Sequence, residues 1–280
     1  RRVLFRSKKC RIIVRNGVGY DNCDLELLGA AGIAVCNVPD YGTTEVADTA
    51  VAMMLAFARG TAIYDATLRQ DPTALWTHTH NVTARRLRGA TYGVIGMGRI
   101  GTASALRARA FGMNVVFYDP ALSIGAELSF GFTRANKLDD LLKVADVITI
   151  HAPLTPETNK MINADAVSKI KPGAYLISTA RGPICDTGAL LEGLKSNRLL
   201  AVGLDVLPSE PATLDDPLVK AWQANEPWLR GRVLMGPHSG FYSPDSLVDL
   251  RTKAAQTACW YLKDNKLVNC VNAEFLKKPR

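Results

Sequence analysis

Residues 90–120, ATYGVIGMGRIGTASALRARAFGMNVVFYDP, constrain this chain more than any other stretch. Thr91–Ile95 is a short apolar run with β-branched residues, the composition of a buried strand. Gly96-Met97-Gly98-Arg99-Ile100-Gly101 follows directly, and residues 102–111 read as a helix rich in Ala, Leu and Arg. Asn114–Tyr118 predicts a second strand with Asp119 at its carboxyl end. A G-x-G-x-x-G run between a strand and a helix, with an acid closing the next strand, is the βαβ unit that binds a dinucleotide. The first glycine permits a tight turn, the second lets backbone approach a pyrophosphate, and the third lets the helix pack close to the strand. The helix N-terminus then offers N–H groups and a positive dipole end to the phosphates. Asp119 stands where a carboxylate accepts hydrogen bonds from ribose hydroxyls and repels a 2′-phosphate, which favours NAD over NADP.

At 280 residues the chain has room for one large or two modest domains, with 48% hydrophobic and 21% charged residues as in a globular protein. No apolar run reaches the roughly 18–20 residues of a membrane span. The longest, residues 46–57, is interrupted by Asp48. Six cysteines (10, 23, 36, 185, 259 and 270) are scattered without a CxxC pair, the pattern of reduced thiols in a cytoplasmic protein. The net charge of +8 is concentrated at one end: Arg1, Arg2, Arg6, Lys8 and Lys9 lie together with no acid among them, and without those five the excess falls to three. No later stretch interleaves basic and aromatic residues as a nucleic-acid face would, so neither nucleic acid nor membrane is expected as a partner. The chain starts without Met, and RRVLFRS (1–7) resembles the in-frame translation of a sequencing-adapter end. The expectation is a foreign leader joined to an N-terminally truncated reading frame, the native N-terminus and any targeting signal on it being absent.

Before the fingerprint, residues 11–15 read as a strand, 15–22 (RNGVGYDN) as a glycine turn, 24–31 as a helix capped by Asn22 or Asp24, and 33–38 as a strand closed by Pro39. This is the tail of a first α/β module. Residues 45–64 predict one long helix with Ala47, Val51, Met54, Leu55 and Ala58 on one face, and 69–88 a polar, irregular excursion. After the fingerprint come strands at 147–151, 175–178, 202–206 and Val233–Met235, with helices at Leu138–Val144, 164–170 and 189–194 between them. Six strands alternating with helices predict a complete Rossmann-type, doubly wound parallel sheet. A terminal helix over 246–262 and an extended ending at 269–272 complete the reading.

Ligands of open parallel sheets sit beyond the carboxyl ends of the strands. Those ends hold Gly96–Gly101, Asp119, His151-Ala152-Pro153, Thr179-Ala180-Arg181, Asp205 to Glu210, and Pro237-His238. The set contains a fixed cation, carboxylates and an imidazole, the parts needed for hydride transfer at a carbonyl beside a carboxylate. Arg181 can clamp the carboxylate bidentately and polarise the carbonyl. His238 can exchange a proton with the substrate oxygen, and Glu210 can fix the tautomer of its imidazole. A simpler reading stands beside several of these: Glu210 in SEP also suits a turn, Asp205 is either a cofactor contact or a strand-end cap, and His151 reads as structural. His78-Thr79-His80 has the spacing of two metal ligands but no third, so no metal is expected. Asn81-Val82-Thr83 is a formal glycosylation sequon expected to be silent, and nothing marks Cys185 as a nucleophile.

From about residue 11 to its end the sequence resembles the NAD-dependent D-2-hydroxyacid dehydrogenase family, on GVIGMGRIG, ADVITIHAPLTPET, STARGPICD, GLDVLPSEP and GPHSGFYS in that order. Within it, NVVFYDP, HSGFYS and LVNCVNAEF are most similar to the C-terminal binding protein branch. The resemblance implies catalytic roles for Arg181, Glu210 and His238. It implies cofactor contacts at Gly96, Met97, Gly98, Arg99, Ile100, Gly101, Asp119, Ala152, Pro153, Thr158, Thr179, Ala180 and Asp205. It puts the substrate at Arg15, Val18, Gly19 and Phe241. The fold it implies is a dinucleotide-binding domain (39–250) with its dimerisation segment, and a discontinuous, truncated flavodoxin-like substrate domain (1–38 and 251–280), with the active site in the cleft between them. The function implied is a homodimeric oxidoreductase interconverting a 2-oxo acid and a D-2-hydroxy acid. The other reading is an NAD(H)-sensing, corepressor-like binding module. Two departures count against that module: Phe241 stands where the corepressors carry Trp, and their peptide-binding groove lies largely in a region this chain lacks. With the substrate domain incomplete, the 280-residue chain is expected to express poorly or to bind NAD without efficient turnover.

Overall fold

The computed structural model describes residues 9–276, so the leader expected at 1–7 lies outside the described residues. In chain order the first elements are β1 (Ile12–Val14), α1 (Leu25–Ala30), β2 (Ala34–Cys36), α2 (Thr43–Arg59) and α3 (Thr61–Leu68). Next come β3 (Thr91–Ile95), α4 (Arg99–Ala110), β4 (Asn114–Tyr118), α5 (Ala126–Phe130), β5 (Thr133–Arg134), α6 (Leu138–Val144) and β6 (Val147–Ile150). The remainder is α7 (Ala164–Lys169), β7 (Ala174–Ser178), α8 (Thr187–Lys195), β8 (Leu199–Leu204), α9 (Pro217–Gln223), β9 (Val233–Met235) and α10 (Pro244–Asp264).

The chain forms two compact units, Val46–Gly240 and the discontinuous Arg1–Glu45 with Phe241–Arg280. Both divisions fall inside the 39–250 stretch expected for the cofactor domain. The reason is packing: Tyr41 and Phe241 cluster with Val38, Leu250 and Ala254, which draws both flanks into the discontinuous unit.

The continuous unit is built on a seven-stranded, all-parallel sheet in the order β5-β4-β3-β6-β7-β8-β9. The chain winds from β3 outward through β4 and β5, then returns to β6 and winds the other way. Ile95 at the end of β3 is therefore in register with Tyr118 on one side and Ile150 on the other. This reversal between β3 and β6 opens the crevice in which doubly wound sheets bind ligands. The central strands are buried on both faces, as in parallel sheets generally. Ile148, Ile150, Leu176, Val202 and Leu204 pack on one face against Leu141, Val167 and Leu190 of α6, α7 and α8. Val147, Tyr175, Ile177 and Ala201 pack on the other against Met54 and Phe57 of α2 and Ala105 and Ala108 of α4.

Several elements depart from expectation. The predicted helix 45–64 is two helices, because Gly60 adopts φ +68° and the Asn81 side chain fills the place where a Cβ at residue 60 would lie. The predicted irregular stretch 69–88 is pinned at its far end, where Asn81 Nδ2 and Thr83 Oγ1 both donate to Phe57 O at 3.1 and 2.9 Å. Both side chains are buried, so the sequon is packed into the fold. A seventh strand, β5, has two polar residues and no apolar signature to announce it. In the discontinuous unit β1 and β2 form a two-stranded parallel sheet, and Asp24 caps α1 by accepting from Leu27 N. Among the described residues no single helix is long and apolar enough to cross a membrane.

Candidate active site

The cradle at the switch point is made by three glycines acting differently. Gly96 leaves β3 with φ +87°, and a Cβ there would sit 2.7 Å from Ala152 N, so this glycine lets the loop after β6 close on the loop after β3. A Cβ at Gly101 would lie 2.0 Å from Gly96 O, which fixes α4 against the turn. Gly98 is exposed and a Cβ there would meet nothing within 4 Å: its backbone is open to a ligand. Gly98 is also the N-cap of α4 and has no capping side chain, leaving the first N–H groups for an anion. Asp119 accepts from Met97 N at 2.8 Å through Oδ2 and from Ala121 N at 2.9 Å through Oδ1. Each carboxylate oxygen keeps a second acceptor position, so the residue still suits ribose hydroxyls. These features fit a dinucleotide: Gly96–Gly101 for the pyrophosphate and Asp119 for the adenosine ribose.

The loop after β6 is self-tied. Thr158 Oγ1 donates to Pro153 O at 2.7 Å and accepts from Thr155 N at 2.8 Å, holding 153–158 as a compact turn. His151 lies between two hydroxyls, Thr149 Oγ1 at 2.9 Å from Nε2 and Thr179 Oγ1 at 3.3 Å from Nδ1. Burial pushes its pKa down to about 3, so it is a neutral structural imidazole, as expected.

Three neighbouring strands carry the candidate reactive groups of the continuous unit at their carboxyl ends. Beyond β7, Thr179 and Ala180 are buried and Arg181 is half-buried, its Nη1 donating to Ala180 O at 2.7 Å. Beyond β8, Glu210 turns back so that Oε1 accepts from Leu207 N at 3.1 Å. Beyond β9, His238 presents Nδ1 to Glu210 Oε2 at 2.7 Å. A carboxylate only accepts, so Nδ1 carries the proton at this contact. Pairing on its own would make a surface salt bridge, but the position is engineered by the backbone. His238 holds φ +55°, an uncommon conformation for a residue with a Cβ, and its N–H donates to Asp205 O at 2.8 Å. Asp205 is 3% exposed, and its two oxygens accept from Ser239 N at 3.0 Å and Gly240 N at 2.8 Å. Burial pushes its carboxyl above the usual range, and the Gly240 and Ser239 N–H groups offset part of that.

Two contributions were not legible in the sequence. Asp205, read there as a cofactor contact or a strand-end cap, holds the loop that bears His238. Gly182 is the second: a Cβ there would lie 1.9 Å from the Leu207 carbonyl carbon, so the loop with Arg181 rests on the loop with Glu210. A glycine between Arg181 and Pro183 at a strand end was the available signal.

The other expected site residues lie in the discontinuous unit. Arg15 Nη1 donates to Asn16 O at 2.7 Å, with its guanidinium against Gly17. The turn through Val18 and Gly19 is held by Asn37, whose Nδ2 donates to Val18 O at 2.7 Å. Phe241 meets Tyr41 edge to face, ring centroids 6.0 Å apart.

Residues 51–240 match the family model described as D-isomer specific 2-hydroxyacid dehydrogenase, NAD binding domain. The sequence is 35% identical over 272 residues to D-3-phosphoglycerate dehydrogenase of Mycobacterium leprae (strain TN), covering 97% of this chain and 49% of that one. The chain thus spans about half the length of the curated relatives it matches. Its fold is similar to the crystal structure of D-lactate dehydrogenase from Aquifex aeolicus complexed with NAD and lactic acid (TM-score 0.79, 30% identity, 99% of this chain and 82% of that chain). It is also similar to a glyoxylate reductase from Paecilomyes thermophila (TM-score 0.82, 29% identity, 95% and 76%). The glycine cradle, the acid after β4 and the matched span agree on NAD as the cofactor, and the chain belongs to the D-isomer specific 2-hydroxyacid dehydrogenase family.

Proposed function

We propose that the protein is an oxidoreductase that moves a hydride between NAD(H) and a small 2-oxo or D-2-hydroxy acid. The observation that carries this reading is the Glu210–His238 pair, 2.7 Å apart at the carboxyl edge of the sheet that bears the NAD cradle. Bound NAD supplies or takes the hydride. His238 Nε2 gives a proton to the substrate oxygen in reduction and removes it in oxidation, with Glu210 holding the imidazole tautomer. Arg181 binds the substrate carboxylate and polarises its carbonyl. Arg15, Val18, Gly19 and Phe241, on a flavodoxin-like substrate domain, are further candidates for binding the substrate. Lactate and glyoxylate, from the relatives' names, are the first acids to try.

The stretches 114–120, 238–243 and 267–275 support a finer reading, membership of the C-terminal binding protein branch and a role as an NAD(H)-sensing dimer. Exposed Trp76 and Val82, in the irregular stretch 69–88, offer apolar surface to a second copy. One set of measurements separates the two readings: NADH oxidation with a panel of 2-oxo acids, beside NADH binding by fluorescence. The enzyme reading expects turnover that His238→Ala lowers by about 10²–10⁴ while NADH affinity holds. Tight NADH binding with no turnover on any acid favours the sensor. Turnover surviving in His238→Ala overturns the proton-transfer assignment.

A further inference from the structure

Outside the reactive edge, the discontinuous unit sets two thiols face to face. Cys36 ends β2, and Cys270 stands opposite it in an isolated antiparallel bridge. The flanking hydrogen bonds run from Val271 N to Val35 O at 2.8 Å and from Asn37 N to Asn269 O at 3.2 Å. Cys36 and Cys270 therefore form a non-hydrogen-bonded pair, in which side chains across antiparallel strands come closest. Cα atoms in such pairs are about 4.5 Å apart, inside the roughly 4.4–6.8 Å that a disulfide spans. Cys270 acts on the ionisation of Cys36, and Cys270 Sγ donates to Asn272 Oδ1 at 3.4 Å. Their environments differ. Cys36 is fully buried, and burial, reinforced by Cys270, pushes its thiol up to about 12, whereas Cys270 is partly exposed.

We propose that Cys36 and Cys270 are a dithiol modification site that closes to a disulfide when a hydroperoxide reaches Cys270. Cys270 gives up its proton and the thiolate attacks a peroxide oxygen; the O–O bond breaks, Cys270 becomes a sulfenic acid, and the departing hydroxide takes up that proton and leaves as water. Cys36 sulfur then attacks Cys270 sulfur, forming the S–S bond as hydroxide departs and takes up the Cys36 proton. Two thiols lose two electrons in all, and one hydrogen peroxide is reduced to two waters. The bond staples β2 to the stretch 269–272, the two pieces of chain from which this unit is assembled. It also lies next to Asn37, which holds the Val18 carbonyl.

The test is brief hydrogen peroxide treatment of the native chain, alkylation of remaining thiols, and peptide mapping by mass spectrometry. The expected product is a Cys36–Cys270 linked peptide that lacks two hydrogens and separates on reduction, with exposed Cys259 not part of it. Cys36→Ser and Cys270→Ser each remove the link. Urea unfolding of the wild-type chain, oxidised against reduced, needs no variant to fold: oxidation raises the midpoint of the discontinuous unit. Links of Cys36 or Cys270 to other cysteines only, Cys270 oxidised past sulfenic acid beside an unreacted Cys36, or an unchanged midpoint each overturn the proposal.

Discussion

Asp205 acts through backbone. Its carboxylate takes the N–H groups of Ser239 and Gly240 while its own carbonyl takes that of His238, so one buried side chain sets the path of the whole loop. Replacing it with Asn keeps the size but leaves one acceptor oxygen for two N–H donors, and turns an amide N–H₂ toward the other. The expected outcome for Asp205→Asn is a fall in kcat of about tenfold or more with little change in NADH affinity, because a misplaced His238 loses reach without disturbing the cradle. An equal loss of NADH affinity would instead assign Asp205 to the cofactor. The pH dependence has a sign as well. Burial raises the folded-state pKa, so the stability linked to Asp205 is complete below the ordinary Asp range and declines as pH rises through the raised value. Urea midpoints of the variant lack that decline. The positions of Arg181 and His238 just beyond strand ends were legible because few polar residues interrupt the apolar strands before them. Asp205's role was not legible, since its partners are backbone N–H groups that no sequence displays.

Elements meet at this site through glycines with opposite duties, and a matched pair of substitutions separates them. At Gly182 a Cβ would collide with backbone: 1.9 Å from the Leu207 carbonyl carbon and 2.4 Å from Pro208 N, atoms that cannot swing aside like a side chain. The loops after β7 and β8 must part. Gly182→Ala is expected to cost about 1–3 kcal/mol in stability and to lower turnover by separating Arg181 from the Glu210–His238 pair. At Gly98 the same methyl meets nothing in the protein, and φ −74° is open to any residue. Gly98→Ala is expected to leave the urea midpoint nearly unchanged and to weaken NADH binding, since the methyl stands where backbone faces the pyrophosphate. If Gly98→Ala binds NADH normally, the fit of the cradle is wrong. The strands β3, β4 and β9 were legible to their end residues, because apolar runs bounded by glycine or a charged residue are strong signals. The break of the helix at Gly60 was not. One glycine in a helical pattern is ordinarily tolerated, and only the distant Asn81 against it shows why the chain turns there.

At the scale of the whole molecule, the two units are held together by different means. The continuous one has a sheet buried on both faces. The discontinuous one has two three-residue strands, small clusters around Leu28 and Tyr41, and a polar tie between distant parts of the chain. That tie is Asn272, which is fully buried. Its Oδ1 accepts from Val35 N at 2.8 Å, and its Nδ2 donates to Ile33 O at 3.1 Å and Leu25 O at 3.3 Å. The sequence placed an extended segment there but gave no hint of these partners, which lie more than two hundred residues away. Asn272→Ala leaves a strand N–H and two carbonyls without those bonds, and burial makes each orphan cost about 1–3 kcal/mol. The expected result is a loss of about 3 kcal/mol or more in the discontinuous unit alone. Hydrogen exchange should report it as lost protection in β1, β2 and α10, with β3–β9 still protected and NADH still bound by the glycine cradle. Protection lost across all of these strands together would mean that the two units fold as one cooperative body, and that the NAD cradle depends on the tie at Asn272.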